Sequence, residues 1–153
     1  MGLINWLNNI KNTMFRRYSE RLLKKRLNKV NGDDIMPFSF NGIKTYAKVC
    51  DVYDGDTIKI VFNFKGEMIK YSARLYGIDT PEIRTKDAEE KKRGYEARDF
   101  LRGMILDKVV KVDLLKFDKY GRLLATVYNE KEENVVEVMI KNGHGKPYFG
   151  GTK

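Results

Sequence analysis

Five short segments rich in valine, isoleucine and aromatic residues place the strongest limit on how this chain folds. They cover residues 43–52, 57–64, 68–76, 109–115 and 123–128, with turn signals such as Asp-Gly and Lys-Gly between them. Residues 95–106, between the third and fourth segments, have the apolar spacing of a helix. Five strands with a helix in this place are typical of a small closed barrel. We therefore predict an α+β fold: a five-stranded OB-fold β-barrel with flanking helices.

A second helix is predicted over residues 134–142. Asn134 is a favourable N-cap, Glu137 follows three residues later, and Gly143 is a favourable C-cap. The 153 residues, 42% of them hydrophobic, are enough for one packed domain plus an appendage. The single cysteine, Cys50, excludes an internal disulfide, and we expect it to be a core residue and not a nucleophile.

Basic residues are concentrated in an N-terminal segment that differs in character from the rest. Residues 1–30 hold eight lysines and arginines against one acid, Glu20, and so carry +7 of the formal net charge of +9. Asn31-Gly32 breaks this segment, and residues 31–42 read as a linker to a domain at residues 43–153. Apolar residues recur in the segment at spacings of three and four, which predicts a basic amphipathic helix; they are Leu3, Leu7, Ile10, Met14, Tyr18 and Leu22.

Three roles stay open for this basic arm, residues 1–30. It is a helix packed on its own domain, a helix on an anionic membrane surface, or an arm that binds nucleic acid. No apolar run approaches the roughly 20 residues needed to span a bilayer. Positive charge follows the first apolar residues instead of preceding them, unlike in a signal peptide. These two observations favour an intracellular location without fixing it, and membrane association through the arm stays open. We separately expect a monomer.

Three short runs concentrate charged residues beside turn signals. They are DGDT at residues 54–57, RLYGIDTPE at residues 74–82 and DKYGR at residues 118–122. Each run taken alone is explained by an ordinary polar turn or a surface salt bridge. Together they contain the residues needed for metal-assisted hydrolysis of a phosphodiester.

The first two runs contain oxygen ligands for a metal ion. Asp56 and Asp79 are carboxylates suited to a hard cation such as calcium. Pro81 biases Thr80 toward an extended conformation, which can present the Thr80 carbonyl as a third oxygen ligand. Glu82 is close enough in sequence to act on a water beside the metal instead of binding the metal.

Two arginines and a tyrosine in these runs are suited to binding phosphate. Arg74 and Arg122 can each grip a phosphate through two N–H groups, and fixed cations stabilise the charge that develops during phosphoryl transfer. Tyr120 can hydrogen-bond a phosphate or stack on a base. His144 is the only histidine, and its glycine-rich surroundings favour a structural role. Residues 146–149 contain two aromatics that fit either a substrate rim or the core.

The order of these motifs resembles the staphylococcal nuclease (thermonuclease) family. DGDT, RLYGIDTPE, a GYEA helix start, DKYGR and a short helix ending in Asn-Gly follow one another over roughly residues 48–149. The resemblance implies an OB-fold barrel that carries a calcium-dependent nuclease. Such enzymes cut DNA and RNA with little sequence preference and leave 3′-phosphate ends.

The resemblance also implies a role for each candidate site residue. Asp56 and Asp79 match the family's calcium carboxylates, and Thr80 matches the backbone-carbonyl ligand. Glu82 matches the glutamate that activates or orients the attacking water. Two arginines and two tyrosines match the phosphate-binding and nucleotide-binding positions: Arg74, Arg122, Tyr120 and, only approximately because of Pro147, Tyr148.

Two points beside this resemblance leave alternatives open. Some relatives keep the barrel but lose the catalytic residues and bind nucleic acid or modified peptides, so a non-catalytic binding module is the alternative function. The complete residue set favours the enzyme. Secreted members also continue into a further C-terminal helix past the point where this sequence stops. One hypothesis is that the basic arm packs where that helix would lie.

Overall fold

The computed structural model describes residues 2–150, with side chains from residue 9 onward. It divides into two compact units, Met1–Phe38 and Ser39–Lys153. The helices are α1 (Gly2–Leu27), α2 (Ala88–Ile105) and α3 (Val135–Lys141). The strands are β1 (Lys44–Val52), β2 (Thr57–Phe64), β3 (Glu67–Leu75), β4 (Gly77–Asp79), β5 (Val109–Phe117), β6 (Leu123–Tyr128) and β7 (Lys146–Tyr148).

The first unit contains the predicted N-terminal helix. After α1, Asn31 caps a short 3₁₀ turn, Gly32–Asp34, by accepting a hydrogen bond from the Asp33 N–H. The described side chains of α1 are all exposed, including apolar ones such as Met14 and Phe15. No helix in the described part of the chain is long and apolar enough to cross a membrane.

The second unit is built on the predicted five-stranded barrel. Its strands follow the order β1-β2-β3-β6-β5, and pairing between β1 and β5 closes it. All neighbours are antiparallel except β3 and β6, which run parallel. The α+β fold class is therefore confirmed, and each barrel strand lies within two residues of its predicted bounds. β4 and β7 pair in a separate small sheet that sequence patterns miss, because each strand has only three residues.

Helix α2 begins seven residues before the predicted start at residue 95. Its N-cap is Asp87, whose Oδ1 accepts hydrogen bonds from the N–H groups of Glu89 and Glu90. The two glutamates also place negative charge at the helix N-terminus, where it is stabilising. Apolar spacing misses these first turns because they are almost entirely charged, whereas the Asp cap followed by two glutamates would have indicated them.

The barrel core extends into the segment predicted as a linker. Phe40, within residues 31–42, is only 1% exposed. Its ring centroid lies 5.2–5.8 Å from those of four other aromatic side chains: Phe62, Phe64, Tyr71 and Phe117. Aromatic pairs at such distances stabilise a core beyond their burial alone. The packed domain therefore begins before residue 43.

His144 and Cys50 both have structural surroundings. The His144 ring packs on Phe100 of α2, with the two ring centroids 4.2 Å apart. Cys50 is half-buried on β1, less buried than the core position expected for it, and its thiol donates to the Lys48 carbonyl oxygen at 3.7 Å. Both sets of contacts agree with structural roles.

Candidate active site

Buried polar residues mark one end of the barrel. Asp56, Thr57, Asp79 and Thr80 are the only buried polar or charged residues in the described part of the chain. Burying a carboxylate is costly unless charged or hydrogen-bonding groups compensate it. The concentration of all four residues in one place therefore indicates a functional site.

The barrel topology brings the three charged runs to this end. Thr57 at the start of β2 pairs with Arg74 near the end of β3. Because β6 runs parallel to β3, its first residues lie beside the same end, and Leu124 pairs with Arg74. The backbone carbonyl of Asp56 also accepts a hydrogen bond from the Leu75 N–H at 2.8 Å. Residues far apart in sequence thus meet at one mouth of the barrel.

Arg74 links the two buried carboxylates. Its Nη1 lies 2.6 Å from Asp56 Oδ2, and its Nη2 lies 3.9 Å from Asp79 Oδ1. Nη2 also donates to the Ile78 carbonyl oxygen at 3.2 Å. The guanidinium is thereby fixed between the DGDT and RLYGIDTPE runs. It brings Arg74, Asp56 and Asp79 together, as expected if the two runs share one site.

Burial destabilises the ionised form of the Asp56 carboxyl. Burial raises the pKa of Asp56 to about 6, even though the Arg74 guanidinium acts to lower it. Its Oδ1 also accepts a hydrogen bond from the Thr57 hydroxyl at 2.9 Å. One guanidinium does not fully replace the lost hydration, so a further cation beside Asp56 would favour its ionised form.

Arg122 reaches the same site from the turn before β6, and Asp118 holds it there. Arg122 Nη1 donates to Thr57 Oγ1 at 3.3 Å, while its Nε donates to Asp118 Oδ2 at 2.7 Å. Asp118 Oδ1 accepts from the N–H groups of Tyr120 and Arg122 at 2.8 and 2.9 Å. Burial alone would raise the pKa of Asp118, but these hydrogen bonds from Arg122 and Tyr120 outweigh it and hold the pKa below its ordinary value of 3.8. Sequence reasoning missed this positioning role, although an aspartate opening a turn is a signal for it.

Three glycines lie against the run of residues 78–82 with no room for a side chain. A Cβ on Gly55 would lie 2.7 Å from Thr80 Oγ1. A Cβ on Gly94 of α2 would lie 2.8 Å from the Pro81 carbonyl oxygen, and one on Gly145 would lie 2.7 Å from a methyl carbon of Ile78. These close contacts come from three separate parts of the chain and limit the movement of the run that carries Asp79, Thr80 and Glu82. Nothing in the spacing of the sequence indicates the contacts of Gly94 and Gly145.

The remaining predicted site residues lie at the surface around this cluster. Glu82 is exposed, and its N–H lies 3.5 Å from Glu90 Oε1. Tyr120 is 72% exposed, with the Arg122 guanidinium 5.5 Å from its ring centroid. Tyr148 is half-buried on β7, opposite Gly77 on β4. The functional roles of Glu82, Tyr120 and Tyr148 stay predictions.

The donor set at this mouth fits a weakly held hard cation. Asp56 and Asp79 supply carboxylate oxygens beside the Thr80 backbone, whereas the described residues contain no group of three or more His, Cys, Asp or Glu side chains placed to hold a metal. An ion bound here would take its other ligands from water or substrate, as calcium and magnesium readily do. A competing cation is already present, because Lys146 Nζ lies 3.7 Å from Asp79 Oδ2.

Comparison with known proteins gives matches over about two thirds of the chain. The sequence is 31% identical over 116 residues to Endonuclease Htp3 of Saprolegnia parasitica, covering 67% of this chain and 55% of that protein. It is 33% identical over 100 residues to an uncharacterized endonuclease of Escherichia coli O157:H7, covering 64% and 58%. It is 32% identical over 127 residues to an uncharacterized protein of Methanocaldococcus jannaschii, covering 68% and 59%. The chain thus spans little more than half the length of these relatives.

The family match covers most of the candidate site. Residues 72–151 match the family described as "Staphylococcal nuclease homologue". This range contains Arg74, Asp79, Glu82 and Arg122, while Asp56 lies before it and is joined to it by the Arg74 ion pair. Both the sequence match and the closed five-stranded barrel lead to one assignment: this chain belongs to the staphylococcal nuclease homologue family.

Proposed function

We propose that this protein is a calcium-dependent endonuclease that hydrolyses DNA and RNA with little sequence specificity and leaves 3′-phosphate ends. The observation that carries the proposal is the cluster at the barrel mouth. Two buried carboxylates, Asp56 and Asp79, share the Arg74 guanidinium, and Arg122 reaches the same place through Thr57. A relative with 31% identity is named an endonuclease, which supports the same activity.

The residues of the cluster divide the work of the reaction. Asp56, Asp79 and the Thr80 carbonyl would hold the calcium ion, which supplies Lewis-acid polarisation when bound. Arg74 and Arg122 donate hydrogen bonds to the non-bridging phosphate oxygens and stabilise their charge as the transition state forms. Glu82 accepts a proton from the attacking water. The water oxygen forms a bond to phosphorus as the bond from phosphorus to the 5′-oxygen breaks. The 5′-oxygen takes a proton from solvent and leaves as a hydroxyl, so the phosphate stays on the 3′-oxygen.

The burial of the two carboxylates also favours an enzyme over a binding module. A module that only binds nucleic acid needs cations at its surface and gains nothing from burying two carboxylates beside them. At this mouth Asp56 and Asp79 are both buried, and the cost of burying Asp56 is only partly offset by Arg74. A catalytic metal site would explain why these carboxylates are buried despite the cost.

The activity is tested by incubating plasmid DNA, single-stranded DNA and RNA with the protein in calcium or in chelator. We expect cutting of all three substrates in calcium and none in chelator. Glu82→Ser should abolish most of the activity, whereas Glu96→Ser, an exposed glutamate on α2, is the matched control and should cut normally. Equal cutting in chelator, or by Glu82→Ser, would contradict the mechanism.

The position of the cut is tested on the ends of the product. A 3′-phosphate blocks extension by a DNA polymerase, and treatment with a phosphatase restores it. We expect cleaved DNA to be extended only after phosphatase treatment. Extension without that treatment would show a 3′-hydroxyl and exclude the proposed bond cleavage.

We propose in addition that the basic arm binds an anionic partner, either nucleic acid or an acidic membrane surface, while the catalytic unit acts as a monomer. The net charge of +7 in residues 1–30 and the exposed apolar side chains on α1 support this proposal. Co-sedimentation with anionic and neutral liposomes, and gel shifts with DNA, would compare the full chain with one that lacks residues 1–30. Light scattering after size-exclusion chromatography tests the monomer.

A further inference from the structure

A stacked tyrosine–arginine pair lies next to the site and has no part in the mechanism above. The Arg84 guanidinium carbon lies 5.2 Å from the Tyr53 ring centroid. Tyr53 is 37% exposed and Arg84 is exposed, so both are accessible to a ligand. Tyr53 directly precedes the DGDT turn, and Arg84 lies two residues after Glu82. A cation over an aromatic ring is a combination that binds unpaired nucleotides in many proteins.

The two loops that carry this pair are fixed to the site. The Tyr53 N–H donates to the Thr57 carbonyl oxygen at 2.9 Å. The Ile83 side chain, next to Arg84, lies against Gly94 of α2, so closely that a Cβ there would be 3.0 Å from Ile83 Cγ2. Gly55 lies equally close to Thr80, so the loops contact each other directly. The pair is therefore held at a constant position relative to the carboxylates.

The pair lies on the side of the site opposite to Tyr120. In the barrel order, β1 and β6 flank β2 and β3 from opposite sides. Tyr53 follows β1, whereas Tyr120 and Arg122 precede β6. The path around the closed barrel from β1 to β6 crosses two inter-strand spacings through β5, whereas the path through β2 and β3 crosses three, roughly 14 Å in all. Asp56 and Arg74 lie between the two ends of this path.

We propose that Tyr53 and Arg84 form a second nucleotide subsite, which binds the nucleotide on the far side of the scissile phosphate from Tyr120. The Tyr53 ring stacks on an unpaired base, and Arg84 binds the phosphate that follows it. Because a base inside a duplex is stacked between its neighbours, this subsite selects single-stranded DNA or RNA. The proposal rests on the proposed nuclease function for the identity of the ligand.

Binding without turnover tests the subsite. The Glu82→Ser background is used with calcium, and fluorescence anisotropy measures the Kd of a labelled single-stranded oligonucleotide of about eight nucleotides and the Kd of a single labelled nucleotide. Tyr53→Leu should raise the Kd of the oligonucleotide by about 5–100-fold, the range for loss of one base-stacking contact. The Kd of the single nucleotide, which fills only one subsite, should stay unchanged.

Arg84→Met is the second variant, chosen because Arg84 is exposed and its loss should leave the fold intact. It should weaken oligonucleotide binding and reduce the salt dependence by about one phosphate contact. Tyr46→Leu and Lys111→Met are the matched controls, since Tyr46 is an exposed tyrosine at the other end of β1 and pairs with Lys111. Neither control should change the Kd.

Competition with a duplex of the same sequence decides the strand preference. Tyr53→Leu should weaken binding of the single strand and leave the duplex unchanged. Equal loss for both strands, equal loss for the oligonucleotide and the single nucleotide, or no loss at all would overturn the subsite. If the native protein cuts no nucleic acid under any condition, the proposed function fails, while these binding ratios still judge the subsite separately.

Discussion

Two arginine–carboxylate pairs in this molecule have the same chemistry and opposite surroundings. In the arm, Arg16 lies 3.0 Å from Glu20, and its side chain is 82% exposed. At the barrel mouth, Arg74 lies 2.6 Å from Asp56, and its side chain is only 16% exposed. Exposed pairs of the first kind contribute about 0.3–0.5 kcal/mol on a helix, whereas breaking a buried pair costs about 3–5 kcal/mol. The ion pair in the arm therefore contributes little to stability, whereas the pair at the mouth contributes much more.

Removing the arginine from each pair should give the largest contrast. Arg74→Met leaves Asp56 and Asp79 buried without their shared cation, so we expect the free energy of unfolding to fall by about 3–5 kcal/mol. The cutting rate should fall at least about 100-fold, as when one transition-state donor is lost. Arg16→Met should change the unfolding free energy by less than about 0.5 kcal/mol. Urea unfolding and initial cutting rates are measured for both variants. Equally small losses in the two variants would contradict the difference between the buried and the exposed pair.

The position of Glu82 at the barrel mouth depends on close contacts with glycine, and a second pair of variants tests one of these contacts. Gly94→Ala pushes the Pro81–Glu82 backbone away from α2, and a displacement of about 1 Å costs about 100-fold in rate. Gly103→Ala is the matched control, because it lies on the same helix with nothing within 4 Å of its added Cβ. We expect that control to cut normally and to be more stable by about 0.5–1 kcal/mol. Similar rates for the two variants would show that the close contact at Gly94 is unimportant.

Asp118 should couple the position of Arg122 to pH. Asp118→Asn removes the acceptor that holds Arg122 Nε, so we expect the cutting rate to fall roughly 10–100-fold. Since the folded-state pKa of Asp118 is lowered, its ionised form stabilises the fold above the unfolded pKa, and this contribution is lost as pH falls through the folded pKa. The variant should therefore be less stable than the native protein at pH 7, with a deficit that shrinks below pH 3.8. Thermal unfolding across this range measures the deficit, and a deficit that grows in acid would contradict the assignment.

Lys146 should give the smallest effect, because its side chain is exposed and its ion pair with Asp79 is screened by water. Lys146→Met removes a positive charge that competes with a bound cation, so calcium should bind about 2–5-fold more tightly. Lys141→Met, an exposed lysine on α3, is the matched control and should not change the affinity. Calorimetric titration with calcium measures it, and weaker binding by Lys146→Met would indicate that Lys146 supports the site instead.

The sequence predicts the barrel strands better than the short elements around them, for physical reasons. Each barrel strand is rich in β-branched and aromatic residues between turn signals, so its bounds are visible. The charged start of α2, the three-residue strands β4 and β7, and the isolated Phe40 carry too few apolar residues to form a pattern, and only packing reveals them.

The candidate site divides in the same way. The motif residues Asp56, Arg74, Asp79 and Arg122 could be named in advance, because charged residues at turn signals are conspicuous and resemble a known family. The partners that position them could not. Gly94 contacts residues twelve and thirteen positions away and Gly145 contacts Ile78 from across the small sheet, so their roles exist only in the folded chain.

The Arg122–Thr57 hydrogen bond has a consequence for the order in which the chain folds. Its two partners are 65 residues apart in sequence, and β6 must join β3 across α2 and β5 before they meet. Contacts of such long range form late, because the chain must first lose the entropy of closing a large loop. On a ribosome, a chain that has emerged only through β5 has its two carboxylates and Arg74 but lacks its second arginine. We therefore expect the complete cluster of two carboxylates and two arginines to form in one of the last steps of folding, when the barrel closes.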